Sequence, residues 1–244
     1  MEILKQDLDE IKKSNNPELI NDFLLKLSED PKKENLVHLK DLIEHLNPQM
    51  FNKVKLTLIF VLGEIGRLNS IDEYYLNFIF NIYHLSDRWV RNEIIQTIGK
   101  ISKKSNLNEN IIVLIGNALN DDYDSIKSNA LKILLNLETF PDSVFKNIFR
   151  VLNSKNTEIL EACGRVLIKS FINVDRLFSL LTQSENYKIL KPRAIRSLLL
   201  THFKSIIHLE SFRGNIVKSS WDEIYKENFL KEIDTFERIL VKNM

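Results

Sequence analysis

The stretch SDRWVRNEIIQTIGKI, residues 86–101, puts Val90, Ile94, Ile95 and Ile98 at offsets 0, 4, 5 and 8. Those offsets share one face of an α-helix, so the four residues belong to a core. The same face recurs along the chain. Aligned with Val90 are Val54, Ile126, Ile159 and Leu190, at successive spacings of 36, 36, 33 and 31 residues. Offset 4 holds Leu58, Ile94, Ala130, Cys163 and Ala194, and offset 5 holds Ile59, Ile95, Leu131, Gly164 and Ile195. Offset 8 holds Leu62, Ile98, Leu134, Leu167 and Leu198. A period in the thirties on a helical pattern is the signature of stacked helical hairpins. Gly63 and Gly99 stand at equal places in two of these units, where a helix gives up propensity if a neighbour comes close.

Outside the aligned segments apolar residues still recur at helical spacing. Asn16-Pro17 and Asp30-Pro31 read as an N-cap followed by a proline at the first helical position, and Pro141 opens another helix. The pattern predicts helices over 2–13, 17–28, 32–46, 49–68, 71–85, 87–104, 109–120, 124–138, 141–153, 156–172, 174–184, 187–206 and 220–242. No strand pattern competes. Six glycines and five prolines are few for a chain of short strands and tight turns. The expected organisation is N-terminal capping helices over 1–31, repeats over 32–207, and a linker with a C-terminal capping helix over 208–244. The linker is placed at 208–220, and the last helix carries Trp221, Tyr225, Phe229, Ile233, Phe236 and Leu240 on one stripe.

The stretch DRWVRNEIIQTIGKI resembles the second helix of a HEAT repeat: a turn aspartate, Val-Arg, then Leu-Gly-x-Ile or its like. VKLTLIFVLGEI at 54–65 and IKSNALKILLNL at 126–137 are similar. The likeness is good over 32–138 and weaker over 141–206, where Leu160 replaces the basic residue and Pro192 interrupts the helix. It implies an all-α, right-handed α-α superhelix of about five hairpins, and no particular activity. It also implies that Lys55, Arg91, Lys127 and Lys191, one place after each anchor, pair with turn acids such as Asp87, Asp121, Asp122 and Asp124.

The 244 residues are 44% hydrophobic and 27% charged, as in a folded chain rather than a disordered one. The net charge of +1 is unevenly placed: 11 acids face 7 bases in residues 1–50, and 16 acids face 21 bases in 51–210. Positions opposite the core face concentrate the excess. Offset 6 holds Phe60, Gln96, Lys132, Arg165 and Arg196; offset 10 holds Glu64, Lys100, Asn136, Lys169 and Leu200; Arg193 joins at offset 3. Arg165 and Lys169 are four apart and repel on adjacent turns. Because the second helices of such repeats line a concave surface, Gln96, Lys100, Lys132, Arg165, Lys169, Arg193 and Arg196 are the candidate partner-binding residues. An ordinary solvated lysine face would look the same in sequence.

Catalytic and metal chemistry find no motif. The five histidines are scattered and none precedes a glutamate, so the His-Glu pairs of HEAT-repeat di-iron hydroxylases are missing. No Gly-x-x-x-x-Gly-Lys-Ser/Thr loop occurs. Cys163 sits at a core offset, which fits a small buried residue better than a nucleophile, and a lone cysteine permits no intramolecular disulfide. Trp89 is expected to pack on the preceding hairpin. No cofactor or metal is expected, and no apolar run is long enough to span a membrane. The sequence therefore reads as a cytoplasmic, non-enzymatic scaffold for a protein or peptide partner, acidic if the basic stripe is used. The alternative is nucleic-acid binding, in the manner of the alkylpurine DNA glycosylases built from HEAT-like repeats.

Overall fold

The computed structural model describes residues 10–13, 15–170 and 173–242. The helix expected over 2–13 falls mostly outside them. Residues 10–13 are helical, thirteen further α-helices follow, and no strand occurs among the described residues. The thirteen are α1 (Pro17–Glu29), α2 (Leu36–His45), α3 (Pro48–Leu68), α4 (Glu73–Tyr83), α5 (Arg88–Ile101), α6 (Glu109–Ala118) and α7 (Asp124–Asn136). After them come α8 (Ser143–Val151), α9 (Thr157–Ser170), α10 (Val174–Thr182), α11 (Pro192–His202), α12 (Ile206–Lys218) and α13 (Glu223–Lys242).

Local chemistry sets many of the starts. Asn16, Asn47, Asn173 and Ser205 each accept a hydrogen bond from a first-turn amide, and Asp87 accepts two, from Trp89 and Val90. Pro17, Pro48 and Pro192 open their helices, where the missing N–H costs nothing.

Two expectations are corrected here. Pro192 does not interrupt a helix over 187–206; it begins α11, and a 3-10 stretch, Gln183–Ile189, precedes it. The 208–220 linker is instead helix α12, which buries Leu209, Phe212 and Ile216 on one face. The polar and glycine-bearing surface of that helix, with Glu210, Arg213, Gly214 and Asn215, obscured its three-residue core stripe.

The chain forms two compact units, 1–111 and 112–244. In the first, α3 lies between α1 and α5, and α2 and α4 pack on α3 and α5. In the second, α7, α9, α11 and α13 pack in succession, α8 backs α9, and α12 packs on both α10 and α13. The helices thus form an all-α repeat stack within each unit. All twenty residues at offsets 0, 4, 5 and 8 of the five aligned segments are buried.

Polar side chains stitch one repeat to the next across the same thirty-odd residues. Buried Thr97 Oγ1 donates to the Ile59 carbonyl at 2.9 Å, and Asn147 Nδ2 donates to the Gly116 carbonyl at 3.0 Å. Asn69 reaches the Pro31 carbonyl, Asn153 the Ile189 carbonyl, and Asn156 the Asp124 carboxylate. Asn69, Asn147 and Asn153 meet carbonyls in loops or at helix ends, whereas Thr97 bonds a carbonyl inside α3. Of the expected Val-Arg pairs, Lys127 meets Asp124, three residues before it, at 2.9 Å.

The last hairpin is fixed by Trp221. Its ring stacks on Tyr187 at 4.4 Å and meets Phe229 edge-on at 5.1 Å, while Nε1 donates to Thr182 Oγ1 at 3.0 Å. Among the rings of α4, Tyr75 and Tyr83 are buried and Tyr74 is exposed. Burial, with nearby acids and Tyr74, pushes the Tyr75 phenol up to about 12, so it stays neutral and donates to the Leu36 carbonyl at 2.7 Å.

Gly63 bears out the close-approach reading: a Cβ there would sit 2.6 Å from Thr97 Oγ1. Gly214 has nothing within 4 Å of such an atom. Replacing each by alanine therefore gives opposite signs in chemical denaturation. Gly214→Ala gains about 0.5–1 kcal/mol from helix propensity. Gly63→Ala loses stability, because Thr97 must move and break its bond to Ile59.

Candidate partner-binding surface

The candidate residues divide between the two units. Gln96 and Lys100 lie on α5 in the first; Lys132 on α7, Arg165 and Lys169 on α9, and Arg193 and Arg196 on α11 lie in the second. All but Lys100 are exposed. Their partners differ, and the partners decide which of them present free charge.

Lys100 is neutralised within its unit. Its Nζ lies 3.0 Å from Glu64 Oε1 and 3.6 Å from Glu93 Oε1, above the Phe60 ring at 4.8 Å. The offset-10 acid of one repeat thus meets the offset-10 base of the next. Burial works against ionising Glu64, but the hydrogen bonds and charges of Lys100 and Arg67 outweigh it and its pKa falls. Glu93 goes the other way. Burial raises its pKa more than Lys100 lowers it, and its buried Oε1 has no hydrogen-bond partner.

In the second unit, Lys169 Nζ donates to the carbonyls of Leu135 and Leu137 at 2.7 and 2.8 Å. It caps the C-terminus of α7, where orphan carbonyls and the helix dipole favour a cation. Arg196 Nε lies 2.7 Å from Glu232 Oε2, a carboxylate only 9% exposed. Lys132, Arg165 and Arg193 are exposed and make no ion pair within 4.0 Å among the described residues. The structure thus leaves three of the seven candidates as unpaired cations, all on α7, α9 and α11.

Between α9 and α11 runs an open groove of about 320 Å³. One side is the row Leu160, Gly164 and Ile168 with Glu161 and Arg165; the other is Ser197, Leu200 and Thr201. Gly164 lets the helices close up, since a Cβ there would lie 3.2 Å from Thr201 Oγ1. Ile168 is 55% and Leu200 61% exposed. The candidate set did not include these apolar residues. The signal was present, because Leu200 occupies an offset held elsewhere by Glu64, Lys100, Asn136 and Lys169.

Other expected features resolve plainly. Cys163 is fully buried and its burial pushes the thiol pKa up, away from nucleophilic chemistry. Trp89 is not packed on a hairpin; it is 65% exposed, with the Arg88 guanidinium 4.8 Å from its ring centre. Its place at the first turn of α5, just after Asp87, turns it outward. Among the described residues, no three His, Cys, Asp or Glu side chains group to hold a metal ion, and no helix is long and apolar enough to cross a membrane.

No family model matches the chain, and no curated protein does. Solved structures do. An engineered protein is similar at 14% identity, over 94% of this chain and 97% of its own, with a TM-score of 0.51. A second engineered protein is similar at 16% identity, over 97% of this chain and 71% of its own, also with a TM-score of 0.51. A computationally designed armadillo repeat protein overlays with a TM-score of 0.48 at 12% identity. The fold is an all-α solenoid.

Glu93 makes the stability of the first unit sensitive to pH. Its folded pKa lies above the ordinary 4.5, so the native state holds its proton more tightly than the unfolded chain. Ionised Glu93 therefore costs stability at neutral pH, and the cost fades as pH falls through its pKa toward 4.5. Glu93→Gln is expected to be more stable than the parent in denaturation at pH 7, with the difference shrinking toward pH 4.5.

Proposed function

We propose that the chain is a non-enzymatic, HEAT-like scaffold that binds an acidic protein or peptide segment on the exposed face of α7, α9 and α11. The carrying observation is that Lys132, Arg165 and Arg193 stay unpaired while Lys100 and Arg196 meet carboxylates and Lys169 meets carbonyls. Unpaired cations on one exposed face attract a partner's carboxylates and speed encounter. The HEAT-like reading of the repeats rests on the motifs around Val54, Val90 and Ile126.

Charge neutralised inside the fold counts against the nucleic-acid alternative. Duplex binding draws its free energy from several cations set against phosphates. The second unit has 19 basic and 16 acidic residues, a small excess for that task.

The test uses a fluorescein-labelled octapeptide of alternating glutamate and aspartate. Anisotropy should show binding at low salt that weakens as salt rises. Arg165→Glu with Arg193→Glu should lower affinity by about tenfold or more, equivalent to about 1.4 kcal/mol. Its unfolding midpoint should match the parent, because neither side chain has an ion-pair partner to lose. Lys169 is left intact because it caps α7. Unchanged affinity removes the reading. Tighter binding of a duplex oligonucleotide, with a steep salt slope, replaces it with the nucleic-acid alternative.

A further inference from the structure

We infer that the groove between α9 and α11 receives one apolar side chain, of leucine or isoleucine size, carried by the acidic partner segment. This rests on the reading above and adds the residue that fixes the partner's register. Single exposed leucines are ordinary on protein surfaces. Here Ile168 and Leu200 open onto the same recess, and Leu160 extends its apolar wall by one turn. The remaining lining is small at Gly164, Ser197 and Thr201, so room is left between the walls.

The polar groups narrow the occupant further. Arg165 lines the groove and has no carboxylate of its own, whereas Glu161 lies one turn before it. A carboxylate beside the anchor is attracted toward Arg165 and repelled from Glu161. Arg193, one turn before Ser197 on α11, offers a second unpaired cation. A mostly apolar recess edged by a few charged groups is the usual form of a side-chain pocket, and central anchors of this kind carry most of the affinity at interfaces. A nucleobase is a poor occupant, because it stacks on aromatic rings and none lines this groove.

The experiment compares two labelled nonapeptides of alternating aspartate and glutamate, one with a central leucine and one with a central serine. The leucine peptide should bind the parent protein about tenfold tighter, as expected for partial burial of one apolar side chain. Ile168→Gln with Leu200→Gln should cut that advantage to twofold or less while leaving the serine peptide's affinity unchanged. Both positions are more than half exposed, so the variant should fold, and circular dichroism with an unfolding midpoint checks this. Equal affinity of the two peptides for the parent overturns the anchor and leaves the acidic-partner reading standing. A leucine advantage that survives the double substitution also overturns it. Failure of both peptides to bind overturns the anchor and the parent reading together.

Discussion

A single helical hairpin cannot bury the apolar face it carries, and everything else in this chain follows from that constraint. Stacking the next hairpin on top covers the face and exposes another, so within each unit the core is shared along the stack. Offsets 0, 4, 5 and 8 of the aligned segments meet this demand, and every residue at them is buried. Ala130, Cys163 and Ala194 share offset 4 with Leu58 and Ile94, so residue size varies where burial does not. The repeats are alike in pattern rather than in sequence.

Stacking leaves polar groups at the seams, and several are satisfied from one repeat to the next. Thr97, Asn147, Asn69 and Asn153 bond to carbonyls 31 to 38 residues away. The outward face of the second helices is then open to other uses. In the first unit it closes on itself, through Glu64, Glu93 and Lys100. In the second it leaves Lys132, Arg165 and Arg193 exposed without an ion pair among the described residues, and Arg165 lines a recess with apolar walls. The proposed binding role falls to the second unit because Lys132, Arg165 and Arg193 have no ion pair among its described residues, whereas Arg196 and Lys169 are held.

The core was legible because burial acts on residue class at a fixed period, which a sequence displays directly. Exposure at offsets 6 and 10 follows the same rule in the second unit, whereas Phe60, Glu64 and Lys100 in the first are half-buried against one another. Two other things were not legible. Helix α12 hides a stripe of only Leu209, Phe212 and Ile216 among polar residues and Gly214, so periodicity alone read it as a linker. The state of each cation depends on contacts between repeats: sequence spacing cannot show that Lys169 reaches Leu135 and Leu137 or that Arg196 finds Glu232. Trp89 was misjudged because an aromatic at a helix start is placed by the turn before it, and that turn points the ring outward. The groove itself arises from Gly164 facing Thr201, a pair 37 residues apart whose meeting needs the fold.

The alternation of buried and open positions can be measured with one thiol reagent. Cys163 is the chain's single cysteine and stands at offset 4, two residues from Arg165 at offset 6. Labelling with an aromatic disulfide should leave native Cys163 untouched until the protein unfolds. A cysteine moved to the outer face, as Cys163→Ala with Arg165→Cys, should react at the rate of a free thiol under native conditions. Rapid native labelling of Cys163, or protection of the thiol at 165, would contradict the stacked-hairpin account.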